Sequence, residues 1–151
     1  GLATGQGRRT AEPPDADAGH HDPLTERDLE NILGNRIRKG DRLLLRTDHN
    51  NTYDGGSEKW MMESPYLTIG ATMWCIEKGV VIVGYDFYHG NDEPAATRVF
   101  HSNHLLSEAG IVTLPYLNNL DEVRAERVTL IALPLKLVGA EASPVRAVIL
   151  E

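Results

Sequence analysis

Two short apolar segments on either side of a capped helix constrain the fold of this chain more than any other feature. The first is RLLLRT at residues 42–47, with three successive leucines, and the second is GVVIVGY at residues 79–85, rich in β-branched residues. Such runs are typical of strands that are covered on both faces. Between them, Thr68 is a suitable N-cap and Gly79 a suitable C-terminal residue for a helix over 69–78. This pattern predicts a sheet with buried strands and helices packed on it.

The flanking segments continue the alternation of helices and strands. Thr25 and Asp28 predict a helix that begins with an acidic capping box, and Leu29, Ile32 and Leu33 form its apolar stripe. Strands dominate near the C-terminus, so the predicted class is α/β with a mixed sheet. The other predicted elements are a helix over 98–109, a strand over 111–116, a short helix over 119–125, and strands over 127–138 and 145–150.

Length and composition limit the domain organisation. The 151 residues suffice for one domain with a core, which we expect over 24–151, preceded by an extended or flexible arm over 1–23 that lacks apolar periodicity. A net charge of −7 argues against nucleic-acid binding, and no apolar run is long enough to span a membrane. The single cysteine, Cys75, is compatible with a reducing, cytoplasmic environment, and its place within a predicted helix favours a core position.

Polar residues that directly follow the buried strands are candidates for chemistry. Asp86 comes after the second strand, and Thr47, Asp48 and His49 come after the first. Ligands in α/β sheets gather at the carboxyl ends of strands, so Asp86 is a candidate catalytic residue, with capping of the following turn as the alternative. The polar segment 48–64 is predicted to be a long loop, which is expected to be functional or to form a contact between subunits.

Histidines supply the other candidates. His101 and His104 are three residues apart and share a helix face, where they either bind one metal ion or are simply solvated. His20, His21 and Asp22 lie in the arm, where an ordinary solvated loop is the alternative to a metal site. Arg146, a lone charge in the last strand, is expected to form a buried or interfacial salt bridge.

The chain contains an ordered set of short motifs over roughly residues 24–150. They are LTERDLE, IRKGDRLLLRT, SPYLTIGATMWCIEKGVVIVGYD, HSNHLLSEAGI, LNNLDEV and LPLKLVGAEASPVRAV. This set resembles the cyclase family, which includes bacterial kynurenine formamidase and isatin hydrolase. The resemblance implies a swivelling β/β/α fold. It also implies hydrolysis of an amide, lactam or lactone in a small-molecule substrate, assisted by zinc or manganese, in a homo-oligomer with sites near subunit interfaces.

Two departures from the family pattern concern the metal. The family's main metal motif, His-x-Gly-Thr-His-x-Asp-x-Pro-x-His, has no equivalent in this chain. The family's late histidine corresponds to His101 or His104, which the resemblance therefore makes catalytic or metal-binding, and its following glutamate corresponds to Pro115. The chain thus resembles the C-terminal part of a family member, with an incomplete fold and few or no metal ligands of its own.

Three hypotheses follow for the function. In the first, the chain is part of a hydrolase whose metal motif lies on a second polypeptide, with Gly1 marking the boundary. In the second, it is a non-catalytic or metal-independent homologue that serves as a binding or assembly module. In the third, it is a natural-product cyclase or lyase on the same scaffold. The residues expected to line a substrate pocket are His49, Trp60, Tyr66 and Phe87.

Overall fold

The computed structural model describes residues 2–3, 22–88 and 101–151, apart from the side chains of Leu2, Ala3 and His101. The predicted alternation of helices and strands is confirmed. The elements in chain order are β1 (Leu2–Ala3), β2 (Pro23–Leu24), α1 (Glu26–Leu33), a 3₁₀ turn (Gly34–Arg36), β3 (Arg42–Leu45), α2 (His49–Thr52), α3 (Glu58–Met62), β4 (Tyr66–Leu67), α4 (Ile69–Lys78), β5 (Ile82–Tyr85), α5 (His101–Glu108), β6 (Val112–Leu114), a second 3₁₀ turn (Leu120–Glu122), β7 (Thr129–Pro134) and β8 (Val145–Leu150).

The predicted α/β class is confirmed, with the parallel and antiparallel pairings in separate sheets. Four strands form a parallel sheet in the order β1-β3-β5-β6, and β2 pairs in parallel with β4. The antiparallel pairing is confined to a hairpin of β7 and β8. The arm predicted over 1–23 therefore contains β1 and the first residue of β2, while residues 1 and 4–21 lie outside the described residues.

Strand β3 is buried on both faces, as its three leucines predict. Leu43 and Leu45 join a core built with helices α1, α4 and α5. Leu44 points the opposite way and packs against Val123. The hairpin covers this second face, together with the segment that precedes it, through Leu117, Val128, Leu130 and Ile149. The sheet therefore separates a helix side from a hairpin side.

Local signals set the limits of helices α1 and α4. The Oγ of Thr25 accepts the N–H of Asp28 at 3.2 Å, and the Asp28 carboxylate accepts the N–H of Thr25 at 3.0 Å, which confirms the capping box. The Oγ of Thr68 accepts the N–H of Ala71, and Gly79 ends α4 in the left-handed conformation with φ of 69°. These short-range interactions explain why both helices begin and end where the sequence predicts.

Four strands are shorter than predicted. Strand β3 ends at Leu45 rather than at residue 47, and β7 covers Thr129–Pro134 rather than 127–138. The strand expected from residue 79 begins at Ile82, because Gly79 and the residues after it complete the exit from α4. The strand expected to reach residue 116 ends at Leu114, since Pro115 has no N–H to donate and Tyr116 has a φ of 64°.

Three other expectations need correction. The segment 48–64 contains two short helices, α2 and α3. The helix expected over 119–125 is a single 3₁₀ turn, because Asn119 adopts a left-handed conformation just before it. Arg146 is exposed on the outer face of the hairpin, because the hairpin packs only its other face on the sheet. The expected burial within this chain is therefore wrong, and the alternative of an interfacial salt bridge stays a prediction.

Cys75 lies in the helix-side core, as its predicted place in a helix indicates. It is fully buried, and this burial raises the pKa of its thiol to about 12. Across the described ranges, no helix combines the length and apolar character needed to cross a bilayer.

Gly84 in β5 is expected to tolerate no side chain. A Cβ there would lie 2.7 Å from Leu44 Cδ2 and 2.8 Å from Leu117 Cδ1, inside a packed interface. Gly84→Ala should therefore lower the free energy of unfolding by about 1–2 kcal/mol in urea denaturation, because the leucines must leave their positions. The matched control is Gly55→Ala, which meets nothing within 4 Å. Equal stability of the two variants would contradict this packing.

Candidate functional site

The carboxyl ends of β3, β5 and β6 meet at one edge of the parallel sheet, where α/β folds bind ligands. The segments that leave these ends are 46–64, 86–88 and 115–119. They bring five rings into mutual contact, with neighbouring centroids between 5.2 and 6.3 Å apart. We refer to these rings as the aromatic cluster: His49, Tyr53, Trp60, Tyr88 and Tyr116.

Asp86 is buried directly after β5, and its carboxylate organises the segment after β3. It accepts the N–H of Thr47 at 3.0 Å, the Oγ–H of Thr47 at 2.7 Å and the N–H of Asp48 at 2.9 Å. Burial raises the pKa of Asp86, and these hydrogen bonds partly oppose that rise. Asp86 therefore caps N–H groups, as the alternative to catalysis predicts. The groups that it caps belong to the segment after β3 and not to the turn that follows β5. A catalytic role for Asp86 stays a prediction.

Asp48 has a left-handed backbone that a charged pair supports. Its φ is 61°, and its carboxylate accepts two hydrogen bonds from Arg46, at 2.6 and 3.1 Å. These hydrogen bonds raise the pKa of Arg46, which also donates to the carbonyl of Asp121. Three non-glycine residues have positive φ in the described part of the chain, and all follow strands at this edge: Asp48, Tyr116 and Asn119. Such conformations are costly and concentrate at functional sites.

Trp60 is the centre of the aromatic cluster. Its ring lies 5.7 Å from His49, 5.8 Å from Tyr88 and 5.9 Å from Tyr116, and only 6% of the residue is exposed. The Nε2 of the buried His49 lies 2.7 Å from the carbonyl oxygen of Trp60, so this nitrogen is engaged within the protein. His49 and Trp60 therefore form part of a wall.

The structure separates the other two predicted pocket residues from this wall. Phe87 stacks on Tyr85 at 4.4 Å and belongs to the helix-side core. Tyr66 is buried in β4, within the separate two-stranded sheet. Of the four residues expected in the pocket, the structure thus brings together Trp60 and His49.

Sequence reasoning missed several residues at this edge. Tyr88 and Tyr116 follow strand ends in the same way as Asp86 and His49, and this position was the available signal. Asn50 was missed because its partners Trp60 and Leu117 lie in different segments of the chain. No local spacing indicates those contacts.

The two candidate histidines lie on α5. His104 is exposed, and its Nε2 lies 3.1 Å from an oxygen of Glu108, one turn further along the helix. The backbone of His101 opens α5, and its side chain lies outside the described part, as do His20 and His21. The roles proposed for His101 and His104 therefore stay predictions.

The described residues do not fit a metal ion. Within 22–88 and 102–151, no three His, Cys, Asp or Glu side chains lie close enough together to hold one. Pro115 offers no side-chain donor, and His49 already contacts the carbonyl of Trp60. These parts of the chain thus provide a wall and a hydrogen-bonded loop but not a metal centre.

Comparison with protein families identifies the family of this chain. Residues 9–90 match the sequence model of a family described as "Putative cyclase". The chain belongs to the cyclase family. The resemblance inferred from the ordered motifs is therefore confirmed, and the match extends to the helix-side core and to the segment around Trp60.

Individual relatives within the cyclase family are consistent with this. The chain is 34% identical over 110 residues to a kynurenine formamidase of Bordetella petrii. The aligned region covers 73% of this chain and 49% of that relative. An isatin hydrolase bound to the product analogue thioisatinate is 27% identical, with a TM-score of 0.69, over 82% of this chain and 51% of that one. A structure described as a potential metal-dependent hydrolase with cyclase activity is 26% identical, with a TM-score of 0.65, over 85% and 58%. The chain thus spans about half the length of the relatives that it matches.

Proposed function

We propose that this chain forms the sheet and aromatic wall of a metal-dependent hydrolase that cleaves an amide, lactam or lactone bond in a small aromatic substrate. The main metal-binding motif would come from another polypeptide. The observation that carries the proposal is the aromatic cluster at the carboxyl edge of the parallel sheet, in a cyclase-family chain. The relatives support it because their names denote hydrolysis of a formamide and of isatin.

The character of the cluster supports an aromatic substrate. Tyr116 is 45% exposed and contacts the nearly buried Trp60, so the wall has a solvent-facing side and a rigid interior. Ring faces and edges attract other rings in stacked or edge-on arrangements, worth about 0.5–1.5 kcal/mol for each pair. Kynurenine and isatin, named for the relatives, both contain a benzene ring.

The exposed apolar side chains on the outer face of the hairpin are the argument for a partner polypeptide. Ile131 and Val148 are paired across the strands and exposed, and the face continues through Leu133 and Leu150. Contiguous exposed apolar surface of this kind marks an interaction site. The matched region is about half of each relative, so a segment equivalent to the other half is the occupant that we propose for this face. A second copy of this chain is the alternative occupant.

The single buried Cys75 supports a reducing compartment such as the cytoplasm.

Two observations favour a second candidate function. The described residues do not fit a metal, and Pro115 stands at the family's glutamate position. A binding or assembly module, or a metal-independent homologue, would need no such ligands. A cyclase or lyase of natural-product biosynthesis on the same scaffold is the further alternative. Stoichiometric zinc or manganese in the native assembly would count against this reading.

An inventory of chains and metal in the native particle tests the proposal. The chain, tagged in its natural host, should copurify with a polypeptide that carries the histidine-rich metal motif, and with zinc or manganese by elemental analysis. The particle should hydrolyse isatin or a formamide, lose turnover with a chelator and regain it with the metal. A single species near 16.7 kDa without metal or turnover would overturn the proposal. Finding the motif on the same polypeptide would overturn the two-chain arrangement.

Histidine variants of that particle refine the assignment. His104→Ala or His101→Ala should abolish hydrolysis if the residue binds the metal, whereas unchanged turnover in both would remove these residues from the site. Glu108→Ala is the control for His104, because it removes the partner of the imidazole and leaves the imidazole in place.

A further inference from the structure

Asn50 in α2 connects the central ring of the aromatic cluster to a different segment of the chain. Its Oδ1 accepts the indole Nε1–H of Trp60 at 2.8 Å. Its Nδ2 donates to the carbonyl oxygen of Leu117 at 2.9 Å and to the Oδ1 of Asn118 at 3.3 Å. The orientation of the amide follows from its partners, because an indole N–H can only donate and a carbonyl can only accept.

The second partner of Asn50 is itself fixed to the sheet. The N–H of Leu117 donates to the carbonyl of Tyr85, the last residue of β5, at 2.9 Å. Asn50 thereby links the segment after β3 to a residue that is fixed to the end of β5 and follows β6. Leu117 also follows Tyr116, whose ring contacts Trp60. One amide group therefore holds both the indole and the segment that carries a neighbouring ring of the wall.

We propose that Asn50 is a positioning residue that fixes the Trp60 indole and, through it, sets the affinity of the wall for an aromatic ring. The positioning part stands on the hydrogen bonds alone, and the affinity part rests on the proposed function. Trp60 has few other ways to satisfy its N–H, since the residue is 6% exposed. Without the amide, the indole must either keep an unpaired N–H or rotate toward water and lose its contact with Tyr116.

Three variants separate the two halves of the amide. Asn50→Ala removes both the acceptor and the donor. Asn50→Asp keeps an acceptor for the indole and loses the donor to Leu117. Asn51→Ala is the matched control, because Asn51 is the exposed neighbour on the same helix.

The test measures hydrogen exchange of the Trp60 indole N–H by NMR in the native assembly, with the Trp74 indole as internal reference. Asn50→Ala should speed exchange at Trp60 by about tenfold or more and leave Trp74 unchanged, since one hydrogen bond protects each proton. Asn50→Asp should retain most of the protection, and Asn51→Ala all of it. Thioisatinate affinity should fall about tenfold in Asn50→Ala and stay constant in Asn51→Ala.

Two failures are distinguishable in this design. Unchanged exchange at Trp60 in Asn50→Ala, or equal acceleration in Asn51→Ala, would overturn the role of Asn50 whether or not a ligand binds. Failure of the unmodified assembly to bind thioisatinate would overturn the aromatic substrate of the proposed function and the affinity role of Asn50. The exchange rates would then still decide whether Asn50 positions the indole.

Discussion

Asp86→Ala is expected to lower the free energy of unfolding by about 3 kcal/mol in urea denaturation. The substitution leaves three half-buried donors without their acceptor: the N–H and hydroxyl of Thr47 and the N–H of Asp48. Asp86→Asn should cost less, because its amide keeps one oxygen acceptor and replaces only the other oxygen with an N–H₂ group that cannot accept. The effect is expected to be local first, with faster hydrogen exchange at the N–H groups of Thr47 and Asp48.

Asp54→Ala is the control for this prediction, because Asp54 is exposed in the segment between α2 and α3. It should change stability by less than about 0.5 kcal/mol. If Asp86→Ala were as stable as Asp54→Ala, the carboxylate would not anchor the segment after β3. Retained turnover in a folded Asp86→Asn assembly would show that the residue acts as an anchor rather than as a catalytic group.

Trp60→Ala is expected to show the second large effect, a loss of about 3–5 kcal/mol in stability together with loss of thioisatinate binding. The variant removes the ring that contacts His49, Tyr88 and Tyr116. It also leaves the Oδ1 of Asn50 without the indole N–H that it accepts. Calorimetric titration and urea denaturation measure the two losses separately.

Conservative substitutions keep the prediction testable if Trp60→Ala does not fold. Trp60→Phe and Trp74→Phe form a matched pair, since both indoles are nearly buried and each donates its N–H, to Asn50 at 2.8 Å and to Glu30 at 2.6 Å. Each should lose about 1–2 kcal/mol in stability. Only Trp60→Phe should weaken thioisatinate binding, by about tenfold. Equal effects on binding would show that the ligand responds to stability rather than to the wall.

The parts of this fold that could be predicted depend on signals only a few residues apart. Thr25 with Asp28, and Thr68 with Gly79, fix the ends of two helices through hydrogen bonds within one turn. The leucines of β3 identify a strand buried on both sides, because successive side chains point to opposite faces. The position of Asp86 after β5 places it at the carboxyl edge of the sheet, as its place in the sequence indicates, and the function of that edge stays a prediction.

The remainder depends on contacts that no local pattern encodes. Asp86 serves Thr47 and Asp48, and Asn50 serves Leu117, across distant segments of the chain. Phe87 shares with Tyr88 a place after β5, yet it packs into the helix-side core while Tyr88 joins the cluster. Which way a side chain points after a strand depends on the backbone turn, and a single sequence indicates that turn poorly.

The parallel order of the four-stranded sheet has a kinetic consequence. No two of its neighbouring strands are joined by a tight turn, and the pairing of β1 with β3 brings together residues as distant in sequence as Leu2 and Leu44. Each such pairing must first close a long loop, whose entropy is lost before any contact rewards it. Closure of the β7–β8 hairpin, in which Pro134 pairs with Val145, involves a much shorter loop, so the hairpin is suited to form early. We therefore expect slow folding in which β1 is the last strand to join.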